Sequence, residues 1–380
     1  MYENKIFEDK LKKLEKEKLL RQETVYEYSH DVEYISDGKV LINFSSNSYL
    51  GMHRDSRIIK ASKEAVEAMG TSSIASRLVC GTLPIHAELE KKIAQWKGSE
   101  AAMVLNSGFQ ANLGIIQALA NKDSLILADK LVHASIIDGI RLSNAKFQRF
   151  HHNDMDSLNR LLERYSDIEH KIIISETVFS MDGDKAPLEG LIKLSKKHGA
   201  FLYLDDAHGA GVYGSKGRGP TAEVEGVDLL LGTFSKAFGS FGAYACMSET
   251  LKKYLVNSCR SYIYSTALPP AVIAANLKAV ELLDQQEYES KQKMLIERCS
   301  RVRDVLKNKG YKVVDGEGPI IAIIIGEEHA ALQKSKELLV KGFLVPAIRP
   351  PTVPKGTSRL RLTLSSLHSD KQVKYLLNLF

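Results

Sequence analysis

The sequence predicts an α/β protein in which a mostly parallel sheet is covered by helices, followed by a smaller α+β C-terminal domain. Short, almost wholly apolar runs recur: AAMVL at 101–105, SLILAD at 124–129, KIIIS at 171–175, FLYLDD at 201–206 and DLLLGT at 228–233. Strands apolar on both sides are covered on both sides, as in parallel sheets. Helix-period stretches at 108–120, 133–142 and 188–198 separate several of these runs, which is the alternation of βα units. Beyond 266 the texture changes to long helical stretches over 269–308. GPIIAIIIG at 318–326, a helix near 329–341 and SRLRLTL at 358–364 follow.

These elements divide the chain into an N-terminal segment (1–50), a large domain (51–266) and a small C-terminal domain (267–380). Residues 4–22 carry Ile6, Leu11, Leu14 and Leu19 among Lys and Glu, which predicts an exposed or partner-packed helix. VLINFSSNSYLG, at 40–51, reads as a short strand and a polar turn.

Composition narrows the function. With 44% hydrophobic and 26% charged residues the chain has enough apolar material to fold, so disorder is excluded as its main state. A net charge of +6 without a dense basic cluster argues against nucleic acid and fits anionic small molecules. Cys80, Cys246, Cys259 and Cys299 form no C-x-x-C pair and read as free thiols of a reducing compartment. No run of about 18 apolar residues is present, and the first residues are charged, so a cytoplasmic protein with no membrane partner is expected. His151 and His152 are adjacent, a poor arrangement for joint metal ligation, and no metal site is predicted.

Four motifs carry chemistry. Gly209-Ala-Gly211-Val-Tyr-Gly214 matches a dinucleotide fingerprint, but the loop SKGRGP follows it where a helix is needed. In FLYLDDAH, Asp205 and His208 end a buried strand, where open α/β sheets bind ligands. Asp206 alone reads as a cap or turn. In GTFSKAFG, Lys236 sits past another strand among small hydroxyl-bearing residues that suit a phosphate. An amine kept partly desolvated there is able to form a Schiff base. NSGFQAN places Ser107, Gly108 and Phe109 at a helix start, an anion site or a simple cap by Ser107.

An Asp ending one strand, a Ser/Thr-flanked Lys after a later one and a Gly-led helix start resemble a pyridoxal-phosphate enzyme of the aspartate-aminotransferase fold (fold type I). FSSNSYLG, NSGFQAN, FSMDGD, DDAHGAGVYG, GTFSKAFG, YSTALPP and AIRPPTVPKGTSRLRLTL, spread from about Arg21 to Phe380, are similar to the α-oxoamine synthases. The resemblance implies that Lys236 carries the cofactor covalently and that Asp205 pairs with its pyridine nitrogen. It places His208 and Ser180 near the phenolic oxygen and His133 on the ring face. Gly108, Phe109 and Thr233 hold the phosphate, and Ser265 and Thr266 reach that of the other subunit of a homodimer. Asn47, Arg361, Arg21 and Thr352 face substrate, with Arg361 on the amino-acid carboxylate.

The last motif is similar to the branch that condenses L-alanine with pimeloyl-CoA, or a pimeloyl-carrier-protein, on the route to biotin. GTSSIASRLVCGT, at 70–82, departs from that branch: VCGT resembles the glycine-using 2-amino-3-ketobutyrate ligases. Thr177 and Ser48 depart too, standing where Gly and Asp or Asn are usual. A sister synthase using glycine, a transaminase and a non-enzymatic module of this fold are the alternatives.

Overall fold

A computed structural model describes residues 4–17, 19–21 and 23–380. Its centre is a seven-stranded sheet. The spatial order is Ala101–Leu105, Ala243–Met247, Leu229–Thr233, Phe201–Asp205, Lys171–Glu176, Leu125–Asp129 and Lys146–Phe150. Only Ala243–Met247 runs against its neighbours.

Both faces of this sheet are apolar, which is why its strands read as unbroken hydrophobic runs. Ile172, Ile174, Leu229 and Leu231 enter one core, while Ile173 and Leu230 enter the other. Helices Gly108–Leu119 and Ala134–Ser143 cover the first face. Two strands escape a reading of the sequence. Lys146–Phe150 is an edge strand (KFQRF) whose alternating charges break the apolar run. Ala243–Met247 is short and follows the Lys236 loop without an intervening helix, because an antiparallel neighbour needs no crossover.

The C-terminal third forms a four-stranded sheet in the order Lys312–Val313, Ile320–Gly326, Ser358–Thr363 and Ala347–Ile348. A third sheet joins Glu27–His30, Glu33–Ser36 and Lys39–Asn43 to Phe343–Leu344. The first fifty residues are thereby tied to the last forty. Lys5–Lys16 is helical and fully exposed, shorter than the 4–22 span expected. Among the described residues no helix is long and apolar enough to cross a membrane.

Candidate active site

The carboxyl ends of five central strands meet at one edge. Four of them deliver Asp129, Glu176, Asp205 and Thr233 with the loop bearing Lys236, and the fifth, Ala101–Leu105, leads into the helix at Gly108. Helix Gly108–Leu119 begins at the same edge, capped by Ser107, whose hydroxyl accepts from the Gln110 N–H. The first N–H groups of a helix lack internal acceptors and attract anions. A Cβ built on Gly108 would lie 3.9 Å from Thr233 Cβ and 4.0 Å from its Oγ1. The helix start and the Thr233 hydroxyl thus face one another across a gap left open by the missing side chain.

Asp205 is buried and held from two sides. Its Oδ1 accepts from the Ala207 N–H at 3.0 Å and its Oδ2 from Asn112 Nδ2 at 2.9 Å. Asn112 is itself fixed by the Tyr203 hydroxyl, which donates to its Oδ1 at 2.6 Å. The same Asn112 amide donates to Ser135 Oγ. Ser135 in turn meets His133, whose Nδ1 accepts from the Ser135 N–H as the cap of helix Ala134–Ser143. One amide therefore links the carboxylate to the imidazole expected over the ring.

Lys236 is half-buried. Burial lowers its pKa, against the pull of Asp205 and Glu176, and the nearby Arg361 charge lowers it further. His208 is pushed well down by burial and by the Lys236, Arg361 and His133 charges, so it is neutral. Its Nδ1 meets the Tyr49 hydroxyl at 2.7 Å. Burial and then the Lys236 charge also lower His133, against Asp205. Glu176 is fully enclosed, and burial beside Asp205 raises its pKa well above the usual range. Its Oε1 accepts from the His133 N–H at 2.6 Å.

Arg361 enters from the small sheet. Nε donates to the Ser180 carbonyl at 2.7 Å, Nη1 to Thr363 Oγ1 at 3.0 Å and Nη2 to Asn47 Oδ1 at 3.1 Å. Three of the five guanidinium N–H groups are thus engaged, and the buried Tyr49 hydroxyl also lies against the Arg361 guanidinium. Arg21 and Thr352 are exposed and are not among the partners of Arg361 or Asn47. Phe109 and Thr266 are exposed and Ser265 half-buried. The Thr266 carbonyl accepts from Asn106 Nδ2, beside the helix start.

Tyr49, Asn112 and Glu176 carry no role in the sequence reading, although Tyr49 lies in FSSNSYLG and Asn112 in NSGFQAN. Asn112 stands four residues after Gly108, on the same helix face, which is a signal open to inspection. Asp206 is structural. It binds Lys97 Nζ at 2.8 Å and accepts from the Thr177 hydroxyl at 2.6 Å. The glycine motif serves that cluster, since a Cβ on Gly209 would fall 2.1 Å from Asp206 Oδ1. Only a three-residue turn, Ser215–Gly217, follows it, so no dinucleotide site forms.

A carboxylate, an enclosed amine and a helix start facing a hydroxyl suit a ring nitrogen, an aldehyde and a phosphate, the three handles of pyridoxal phosphate. Residues 39–380 match the model of the family Aminotransferase class I and II. An 8-amino-7-oxononanoate synthase of Trichlorobacter lovleyi is 47% identical over 342 residues, which is 89% of this chain and 87% of its own. The structure of SPT with PLP internal aldimine superposes with a TM-score of 0.92 at 32% identity, covering 99% of this chain and 96% of that one. The 8-amino-7-oxononanoate synthase of Francisella tularensis superposes with a TM-score of 0.77 at 29% identity, covering 89% and 96%. The chain therefore belongs to the aminotransferase class I and II family, as a pyridoxal-phosphate-dependent acyltransferase of fold type I similar to the 8-amino-7-oxononanoate synthases.

Proposed function

We propose that the chain condenses L-alanine with a pimeloyl thioester, carried on coenzyme A or a carrier protein. Carbon dioxide and the thiol leave, and 8-amino-7-oxononanoate is the product. The observation that carries this reading is a pairing within the site. Lys236 is a half-buried amine of lowered pKa, and it feels the charge of Arg361, a guanidinium whose forked geometry suits an α-carboxylate.

Gly108, Phe109 and Thr233 hold the cofactor phosphate, and Asp205, aimed by Asn112, keeps a proton on the ring nitrogen. His133 covers the ring face. Bound there, pyridoxal phosphate supplies a carbonyl for the amino group and an electron sink for the bonds broken at the α carbon. Lys236 Nζ, whose pKa burial lowers, is the group placed to take the α proton. His208, held by the Tyr49 hydroxyl at Nδ1, and Ser180 would sit near the phenolic oxygen. Arg21, Asn47 and Thr352 complete the substrate side. Residues 51–266 form the cofactor domain, flanked by 1–50 and 267–380.

The unit is a homodimer with shared sites, in which Ser265 and Thr266 serve the partner's phosphate. Support comes from Ile74, Val79 and Tyr264, apolar groups 82%, 78% and 71% exposed on segments joined by the Ser76–Thr266 bridge.

The test compares specificity constants, read by thiol release, for alanine or glycine with pimeloyl- or acetyl-CoA. Alanine is expected to exceed glycine by about tenfold, the worth of one methyl group in a pocket. Pimeloyl is expected to exceed acetyl. Faster turnover of glycine with acetyl-CoA than of alanine with pimeloyl-CoA would refute the reading.

A further inference from the structure

His152 lies outside the group described above, yet it is bound as tightly as any residue in it. Nδ1 donates to Asp129 Oδ1 at 3.0 Å and Nε2 to Asp184 Oδ2 at 2.8 Å. A carboxylate only accepts, so both ring nitrogens carry hydrogen and the ring is an imidazolium. Burial opposes that charge, but the two carboxylates outweigh it and push the pKa up to about 10. Phe179 packs edge-on against the ring with centroids 4.4 Å apart.

The two carboxylates belong to different parts of the fold. Asp129 ends strand Leu125–Asp129 and is fully buried. Its Oδ1 also accepts from the Leu131 N–H and its Oδ2 from the Asn153 N–H. It is therefore rigid. Asp184 closes a tight loop whose ends meet through the Val178–Lys185 bridge and the Phe179 N–H to Asp184 carbonyl bond. Between them lie Ser180, whose carbonyl takes the Nε proton of Arg361, and Asp182, which pairs with Arg359. Arg359 and Arg361 share one strand, Ser358–Thr363, and alternate along it. The loop is the piece of the large sheet's rim that grips that strand, and His152 ties the loop to the rim.

We propose that His152 is a positioning residue for the amino-acid substrate. As an imidazolium bridging Asp129 and Asp184, it fixes the Val178–Lys185 loop and, through the Ser180 carbonyl, the direction of the Arg361 guanidinium. This rests on Arg361 being the carboxylate-binding group. The bridge transmits direction rather than charge, because Arg361 bonds the loop backbone and not His152. Misplacing a positioned group by about 1 Å is enough to cost a hundredfold.

The test uses the holoenzyme and three variants, with KM for L-alanine, kcat and melting temperature measured on each. His152→Asn keeps an amide within reach of Asp129 and removes the charged bond to Asp184, leaving Asp184 Oδ2 only the Asn153 amide that donates to it at 2.9 Å. Asp184→Asn is isosteric, replaces the charged bond by a neutral one and carries the same test should the first variant not fold. Arg361→Lys reports on the anchor itself. The expected result is an about tenfold rise in KM for alanine in His152→Asn and Asp184→Asn, with kcat within about threefold of the parent. Their double variant should show no further rise, since both cut one link. A KM that rises in Arg361→Lys but stays at the parent value in both latch variants overturns the proposal and leaves the anchor reading intact. A KM unchanged in all three overturns both.

Discussion

Asp205, His208, Glu176 and Lys236 issue from neighbouring strand ends within one sheet, whereas Arg361 and Thr363 share one strand and meet Asn47, 314 residues before Arg361. The first set is enclosed, mutually charged and held by short local bonds. The second is stitched together by sheet register, and two members expected there, Arg21 and Thr352, are exposed. The contrast separates two tasks. On the proposed reading the strand-end set would govern which bonds break, since burial and then its mutual charges shift the pKa of Lys236 and His208. The layer set would govern which substrate is held.

Removing the amine should break the first set most severely. Lys236→Ala is expected to lower turnover at least about 10⁴-fold, since proton transfer and covalent capture are both lost. Cofactor should still bind through its phosphate. Thiol release and the visible absorbance of the bound cofactor check this together. Asp205→Asn is expected to cost about 1.5–3 kcal/mol for one charge-assisted bond, or about ten- to a hundredfold in kcat/KM. An unchanged far-ultraviolet spectrum would show that the Asn112 network still folds. In the layer set, Arg361→Lys should raise KM for alanine about tenfold with little change in kcat, because a forked donor becomes a point charge. Equal losses in kcat for Arg361→Lys and Asp205→Asn would erase the distinction between the sets.

The contrast also explains what could be read without coordinates. GTFSKAFG, FLYLDDAH and NSGFQAN place their groups within a few residues of a strand end or helix start, so local pattern suffices. Asn112 ends one of those motifs and Glu176 directly follows the strand run KIIIS, yet neither shows its role locally, because their partners, Asp205 and His133, are distant in sequence. Arg361 came to notice by resemblance alone. Nothing in SRLRLTL says which of its two arginines reaches inward, since both are buried and each is bound to the Val178–Lys185 loop. The pairing of Phe343–Leu344 with Lys39–Asn43 likewise leaves no local trace in the sequence.

A gentler perturbation tests whether the layer set depends on its own buried scaffold. His368 stacks on Phe44 at 4.0 Å. Its Nδ1 accepts from the Ser365 N–H, and its Nε2 meets the Asn43 carbonyl. Burial holds its pKa down at about 4 against 6.5 unfolded. The unfolded chain therefore takes up the proton first as pH falls. Its stabilisation is complete above pH 6.5 and is lost as pH drops through 4, a term of about 3 kcal/mol. Urea midpoints measured across that window should decline, and His368→Gln should flatten part of the decline. A slope identical in both proteins would assign the acid sensitivity elsewhere.

Pyridoxal phosphate is expected to be held covalently in the strand-end set built around Lys236 and Asp205. Borohydride reduction of the holoenzyme followed by peptide mapping tests it directly. The predicted result is one pyridoxyl-lysine per chain, at Lys236, absent from Lys236→Ala. Label on a different lysine, or unreduced cofactor with full activity, would contradict it.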